Sequence, residues 1–106
     1  MNNPRLAQRY AKSLIDISGE MNQMDEVRAD VQVLQHIIKS SREFVVMLNS
    51  PIIKSDKKFK ILSAITEGRI STITKKFLEL LCSKNREDNL PGIVNSFLQQ
   101  YNKIKG

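Results

Sequence analysis

The sequence is poor in the residues on which disulfide-stabilised, zinc-binding and all-β domains depend. Its 106 residues include one cysteine, Cys82, and one histidine, His36, which excludes an internal disulfide and makes a zinc site built from these residue types implausible. Four glycines and three prolines are few for an all-β domain, which needs many tight turns. The longest apolar run, residues 44–48, is far shorter than the roughly 20 residues of a membrane-spanning helix. With 41% apolar and 26% charged residues, the composition indicates one small helical domain.

Turn-forming residues divide the chain into six segments with helical periodicity. In the second segment, apolar residues recur every three or four positions from Met24 to Ile38. The predicted helices cover residues 4–18 and 23–39, a short segment through 44–48, a segment from 55–56 to Gly68, residues 72–84, and a segment through 90–104. The sequence therefore predicts an all-α fold, a single six-helix bundle.

Residues suited to helix ends support these boundaries. Pro4 fits the first turn of the first helix, Gly19 its C-terminal stop and Asn22 the N-cap of the second helix. Further candidate N-caps for the third, fifth and sixth helices are Ser40 or Ser41, Ser71, and Asp88 or Asn89. The turn 49–51, which ends in Pro51, terminates the third helix.

Two of the six helices have an unusually wide apolar face. At 100° per residue, the apolar and small residues of the first helix cover about 200°. The fifth helix has a similar arc of about 200°, in which Lys84 is the only charged residue. A surface helix in a bundle needs an apolar stripe of little more than about 100°. We therefore expect the first and fifth helices to be central in the bundle.

The wide arcs allow two interpretations. Both helices can be enclosed by the other four, so that every apolar residue belongs to the core. Alternatively, part of each arc lines a shared open groove that binds an amphipathic helix of a partner. The small residues Ala7, Ala11 and Ser13 favour the groove slightly, because they let another helix approach closely. The sequence leaves both interpretations open.

The net charge of +6 raises a competing hypothesis of nucleic-acid binding. The cations are scattered along the chain, and the only cluster is formed by Lys54, Lys57, Lys58 and Lys60. Such a cluster is more typical of a solvated helix face than of a nucleic-acid site. The alternative function is therefore a basic helical module that uses the cluster at residues 54–60.

The sequence contains no recognisable catalytic or cofactor-binding constellation. His36 has no second histidine or cysteine beside it, and Cys82 lies on an apolar arc where a buried, inert thiol is expected. The acids Asp25, Glu26 and Asp30 are expected on one solvated helix face rather than in a carboxylate pair or metal site. The four glycines are isolated, so no phosphate-binding loop is present. We predict a binding module that is not an enzyme, with no cofactor and no metal.

Three stretches resemble the δ subunit of bacterial F-type ATP synthases, whose mitochondrial counterpart is the oligomycin-sensitivity-conferring protein. RYAKSL at 9–14 is similar to the opening signature of that family. Residues 43–62 resemble its third helix, Ser-Pro turn and fourth helix, and residues 77–101 resemble its fifth and sixth helices. Each stretch is weak alone, but their order and spacing together are specific.

The resemblance implies a six-helix N-terminal domain of a stator subunit over 1–106. In that family the domain binds the N-terminal amphipathic helix of an α subunit in a groove between the first and fifth helices. The groove residues implied here are Tyr10, Ser13, Leu14, Ile17, Phe77, Leu80, Leu81 and Lys84. Family members often have alanine where Ser13 stands, a change between small residues.

The resemblance also implies a second, C-terminal domain that binds the b subunits, and this chain stops at Gly106. Binding to b subunits is therefore expected only through the missing domain. The first ten residues have no secretory-type apolar stretch, so we expect no targeting segment. This favours a peripheral location, through the complex, on the cytoplasmic face of a bacterial inner membrane. The alternative is the matrix face of the mitochondrial inner membrane.

Overall fold

Six α-helices and one short 3₁₀ turn make up the protein in the computed structural model, which describes residues 3–106. The helices are α1 (Pro4–Glu20), α2 (Met24–Ser40), α3 (Arg42–Asn49), α4 (Ser55–Thr66), α5 (Thr72–Ser83) and α6 (Leu90–Lys105), with the 3₁₀ turn at Glu87–Asn89 before α6. The prediction of an all-α six-helix bundle is confirmed. Met1 and Asn2, the start of the predicted domain 1–106, lie outside the described residues. None of the helices within 3–106 is both long and apolar enough to cross a bilayer.

Asparagine, and not glycine, ends the first helix. The prediction that Gly19 stops it is wrong, because α1 continues through Gly19 to Glu20. Asn22 has φ of 56°, its N–H donates to the carbonyl of Gly19, and the N–H of Gln23 donates to the carbonyl of Ser18. These two bonds form a Schellman motif with asparagine in the left-handed position. The prediction that Asn22 is the N-cap of α2 is therefore wrong, and Gln23 holds that position.

The fifth helix ends in the same way. Asn85 has φ of 57°, and its N–H donates to the carbonyl of Cys82, while that of Arg86 donates to the carbonyl of Leu81. Asparagine tolerates this backbone conformation better than most residues because its short polar side chain can hydrogen-bond locally. The two helices with wide apolar arcs are thus both terminated by asparagine.

N-terminal capping also differs in part from the sequence prediction. Ser41 accepts a hydrogen bond from the backbone N–H of Phe44, which confirms it as the N-cap of α3. Asn89 precedes α6, but its side chain does not cap that helix. Its Oδ1 accepts a hydrogen bond of 3.1 Å from the backbone N–H of Asn3, so it joins the beginnings of α1 and α6.

The sixth helix packs along both α1 and α2 and buries six residues, Leu90, Ile93, Val94, Ser96, Phe97 and Tyr101. A Cβ added at Gly92 would lie 3.2 Å from the Cβ of Ala7, so α1 and α6 approach closely at that point. Because α6 occupies one side of α1 in this way, part of the wide arc of α1 is used within the bundle.

Two charged residues expected in solvent are buried, which corrects the sequence prediction. Asp30 is 6% exposed, and its carboxylate accepts hydrogen bonds from Ser71 and Thr74 at the start of α5. Lys58 is 4% exposed, and its Nζ lies 3.0 Å from Glu87 Oε2 and 2.8 Å from the carbonyl oxygen of Leu48. Both can be buried because their charges have hydrogen-bond partners in other elements of the fold.

The burial of Lys58 also removes one member of the cluster on which the nucleic-acid hypothesis depended. Lys54, Lys57 and Lys60 remain exposed, but the ammonium group between them is held inside the fold. Three of the four lysines therefore remain available to bind phosphate groups, which weakens the nucleic-acid hypothesis.

Candidate docking groove

An open groove runs between α1 and α5 and has a volume of about 670 Å³. Its walls come from the two helices that have the wide apolar arcs, and its ends from the segments that precede α2 and begin α5. The lining residues are Tyr10, Ser13, Leu14, Ile17, Met21, Gln23, Thr72, Ile73, Lys76, Phe77 and Leu80. The structure thus leaves part of both arcs uncovered.

The structure brings six of the eight sequence-predicted groove residues together in this lining: Tyr10, Ser13, Leu14, Ile17, Phe77 and Leu80. The other two do not line it. Leu81 is 1% exposed and belongs to the hydrophobic core, although its neighbour Leu80 faces the groove. Lys84 is an exposed residue at the C-cap of α5, beyond the lined part of the helix.

The walls of the groove carry large apolar side chains that the rest of the fold covers only in part. Ile17 is 46% exposed, Met21 55% and Leu80 44%. They are three of the seven large hydrophobic residues that stand exposed among the described residues. Single exposed apolar residues are ordinary on a protein surface, whereas a group facing one concave surface indicates a binding site.

The floor of the groove is part of the hydrophobic core. Leu14 is 2% exposed and Phe77 is 9% exposed. The rings of Tyr10 and Phe77 meet edge to face across the groove, with centroids 6.3 Å apart and an angle of 70° between the planes. An aromatic pair in this orientation is stabilised beyond its buried area, so it also links the two walls.

Helical spacing explains how each wall is formed. Residues 10, 14, 17 and 21 of the α1 side recur every three or four positions and lie on one face. On α5, Ile73, Lys76, Phe77 and Leu80 have the same spacing. The stripe from residue 10 to residue 21 is about 16 Å long at 1.5 Å per residue, or three helical turns.

Sequence reasoning missed five lining residues: Met21, Gln23, Thr72, Ile73 and Lys76. Ile73 and Met21 carried a usable signal, because each continues the three-and-four spacing of a wall residue that was predicted. Gln23 and Thr72 carried none, since their position depends on how the turns before α2 and α5 are folded.

The second helix sets the relative position of the two walls. It contacts both α1 and α5, and its Asp30 carboxylate holds the first turn of α5. Asp30 Oδ2 accepts hydrogen bonds from the backbone N–H of Ser71, at 2.9 Å, and from Thr74 Oγ1, at 2.7 Å. A carboxylate at a helix N-terminus also interacts favourably with the helix dipole.

The groove is suited to binding and not to reaction chemistry. Lys76 is the one charged residue among its lining residues. Cys82 of α5 is 3% exposed. Burial raises the pKa of its thiol from 9.0 to about 11. The negative charge of Glu87 adds to this increase, and the positive charge of Lys58 opposes it. Such a thiol is protonated at neutral pH and therefore a poor nucleophile. Within residues 3–106, no group of three His, Cys, Asp or Glu side chains is placed to hold a metal ion.

Comparison with known proteins gives one family. Residues 6–106 match the family model described as ATP synthase delta (OSCP) subunit. Over 106 residues the chain is 37% identical to ATP synthase subunit delta of Cytophaga hutchinsonii, covering 100% of this chain and 58% of that protein. It is 37% identical over 105 residues to the subunit delta of Amoebophilus asiaticus, covering 99% and 57%. It is 39% identical over 90 residues to that of Phenylobacterium zucineum, covering 84% and 49%. The chain therefore spans about half the length of these relatives.

Proposed function

Because the chain belongs to the ATP synthase delta (OSCP) subunit family, we propose that it is a non-catalytic part of the peripheral stalk of an F-type ATP synthase. In this proposal the groove between α1 and α5 binds the N-terminal amphipathic helix of an α subunit. The single observation that carries it is the open apolar groove, whose wall residues Ile17, Met21 and Leu80 are only partly covered by the described chain.

The dimensions of the groove suit one amphipathic helix. Its α1 wall extends about 16 Å, the length of eleven residues of a docked helix. Ser13 is small and lies between Tyr10 and Ile17, so the axis of a partner helix can approach α1 closely at that point. Helix-in-groove recognition typically uses apolar anchors at the i, i+3, i+4 and i+7 positions, which would meet the matching stripes of α1 and α5.

Burial of the exposed wall would supply the affinity. A fully buried large apolar side chain contributes about 1.5–3 kcal/mol. Since Ile17, Met21 and Leu80 are already about half buried, covering each one would contribute about 1 kcal/mol. The partner's own anchors would add more, and the loss of translational freedom would oppose them. Lys76 at the edge would favour an acidic residue on the partner helix and speed association.

The role in the complex is mechanical. A stalk must keep the catalytic head from turning with the rotor, so this domain must bind firmly and keep its shape. We propose that residues 1–106 act as the N-terminal, head-binding domain and that the b subunits bind elsewhere in the full-length protein. The location that follows is peripheral, at the cytoplasmic face of a bacterial inner membrane or, alternatively, the matrix face of the mitochondrial one.

Calorimetric titration with a synthetic peptide of the α-subunit N-terminus tests the proposal. Leu80→Glu places a charge on the wall and is expected to weaken binding at least tenfold. The matched control is Val46→Glu, which changes an apolar residue on α3 that is 61% exposed and does not line the groove. The affinity of the Val46→Glu variant for the peptide should stay within twofold of that of the unmodified chain.

Circular dichroism of each variant shows whether the bundle is intact. Leu80 is 44% exposed, so a glutamate there can remain solvated without disturbing the core. If Leu80→Glu unfolds the domain, Ile17→Glu on the opposite wall replaces it in the test. Unchanged affinity in a folded wall variant would refute the groove assignment.

A further inference from the structure

A second groove lies between α1 and α6 and has a volume of about 500 Å³. Its lining residues are Arg5, Gln8, Arg9, Lys12, Ser96, Gln99, Gln100 and Lys103. None of them lines the apolar groove, so α1 presents different faces to the two grooves.

The charge of this second groove is of one sign. Its lining includes four cations and no acidic residue. Lys12 is paired with Asp16, 3.0 Å away, but both side chains are more than half exposed. Within residues 3–106, the cations of Arg5, Arg9 and Lys103 have no ion-pair partner. Three cations around one concavity without counter-charges create a positive potential that favours an anionic ligand.

The two walls of the basic groove are regular and firmly joined. On α1 the lining residues are 5, 8, 9 and 12, and on α6 they are 96, 99, 100 and 103, so each wall has the i, i+3, i+4, i+7 spacing of one helix face. The amide nitrogen of Gln100 donates to the carbonyl oxygen of Gln8, at 3.2 Å, and to Ser96 Oγ, at 3.0 Å. The close approach of Gly92 to Ala7 lies in the same interface. The cations are therefore carried by two helices that pack closely against each other.

We propose that this basic groove binds an acidic helical segment of another polypeptide. Along α1, Arg5 and Arg9 are about 6 Å apart and Arg9 and Lys12 about 4.5 Å, from the rise of a helix. Carboxylates at positions i, i+4 and i+7 of a partner helix have the same spacing and would face these cations. The side chains of Gln8 and Gln99 supply donors and acceptors for the polar groups between them, and the side-chain oxygen of Gln100 supplies a further acceptor.

The composition of the groove favours a peptide over other polyanions. No aromatic side chain lines it, whereas single-stranded nucleic acids are bound by stacking on aromatic rings as well as by cations. No exposed large apolar residue lines it either, whereas a membrane-binding surface inserts such residues among its cations. A concave surface between two helices also suits a helix better than a flat bilayer.

The test uses the 106-residue chain and an alanine-based helical peptide with glutamates at i, i+4, i+7 and i+11. Binding is measured at 20 mM and 150 mM salt by calorimetry. The double variant Arg5→Gln and Arg9→Gln is expected to lose at least fivefold in affinity at low salt. The matched control, Lys57→Gln with Lys60→Gln, removes the same charge from exposed sites on α4 and should stay within twofold. Glutamine and the basic residues have similar helix propensities, so both pairs should leave the fold intact.

Three further probes decide the class of ligand. A peptide of equal composition whose glutamates are spread around the helix should bind at least fivefold more weakly. A 20-base-pair DNA duplex and phosphatidylglycerol vesicles should lose no more affinity in the Arg5 and Arg9 variant than in the charge-matched Lys57 and Lys60 variant, because the loss of any two cations weakens non-specific binding to a polyanion. Failure to bind the patterned peptide, equal binding of the dispersed one, or tighter Arg-dependent binding of DNA or vesicles would each overturn the proposal. Leu80→Glu should leave this binding unchanged, which separates it from the function of the apolar groove.

Discussion

The Asp30 carboxylate on α2 caps α5, because its Oδ2 accepts a 2.9 Å hydrogen bond from the backbone N–H of Ser71, the N-cap residue of α5. Oδ2 also accepts from the hydroxyls of Ser71 and Thr74. The sequence predicted that Ser71 caps α5. Ser71 holds the N-cap position, but its side chain makes no capping hydrogen bond. The buried carboxylate of Asp30 thus fixes the start of α5, one wall of the groove, against α2, which also contacts the other wall, α1.

Replacing this carboxylate should loosen α5. We expect Asp30→Asn to lower the free energy of unfolding by about 1–3 kcal/mol, because a neutral amide oxygen accepts these hydrogen bonds more weakly than a carboxylate and the favourable charge at the start of α5 is lost. Urea titration measures the change. The control Asp16→Asn removes an exposed carboxylate from a surface ion pair and should cost less than about 0.5 kcal/mol. Equal stability of the two variants would show that Asp30 does not act as the cap.

The buried pair of Lys58 and Glu87 should be sensitive to the loss of one partner. Lys58→Met leaves the Glu87 carboxylate buried without its counter-charge and is expected to cost about 3–5 kcal/mol. The double variant Lys58→Met with Glu87→Met should recover part of that loss, because no charge is then left buried. A double-mutant cycle from urea titrations measures the coupling between the two residues. Additive effects of the two substitutions on the free energy of unfolding would contradict a direct interaction. Lys57→Met, at an exposed site on the same helix, is the control and should cost much less.

The left-handed asparagines predict an opposite effect of two small substitutions. At Asn22, where φ is 56°, glycine is expected to match or exceed the stability of the native residue, since it adopts positive φ without steric cost. Asn22→Ala should destabilise by about 1 kcal/mol. Thermal unfolding followed by circular dichroism checks the order glycine, asparagine, alanine. The same order is expected at Asn85, and a more stable alanine variant at either site would contradict the Schellman assignment.

The Cys82 thiol should react slowly while the domain is folded. With a pKa of about 11 in place of 9.0, it has about 100-fold less thiolate at pH 8 than an ordinary cysteine. Its burial adds a second barrier to reagents. We expect a disulfide-exchange reagent such as dithionitrobenzoate to modify it at least about 100-fold faster in 8 M urea than in buffer. Equal rates would show that the thiol is accessible in the native fold.

The same shift of the Cys82 pKa makes stability depend on pH in a defined direction. Below pH 9 the thiol is protonated in both the folded and the unfolded state, and its contribution to stability is complete. As the pH rises from 9 towards 11, the unfolded thiol ionises first, so the contribution is lost. Comparison with Cys82→Ala isolates this effect from the titration of lysines and tyrosines. The stability difference between the two proteins should shrink over that pH range, and a constant difference would contradict the prediction.

The number of helices and their apolar faces were predictable because they depend on local sequence. A three-and-four repeat of apolar residues specifies a helix and the direction of its face, whatever the neighbours are. The family resemblance in three short stretches was equally legible, and it is confirmed by the match over residues 6–106. The ends of helices were less predictable, because asparagine is favoured at more than one position near a helix end. Asn22 was expected to be the N-cap of α2 and instead takes the left-handed position after α1.

The candidate site was predictable only in part, as Leu80 and Leu81 illustrate. Both lie on the wide arc of α5, yet Leu80 is 44% exposed in the groove and Leu81 is 1% exposed in the core. Periodicity gives the width of an apolar face, but the packing of α2, α4 and the 3₁₀ turn against α5 decides which part of it is covered.

What the sequence determined by itself is therefore the set of helices, their two wide apolar arcs and the lack of a recognisable catalytic motif. Only the tertiary structure decided that Asp30 and Lys58 are buried, that part of each arc stays open, and that Arg5 and Arg9 stand beside Lys103. The physical reason is that helix formation follows from interactions between residues three or four positions apart. Burial and charge clustering depend on residues that are far apart along the chain, such as Lys58 and Glu87, which are 29 positions apart, and Asp30 and Thr74, which are 44 positions apart.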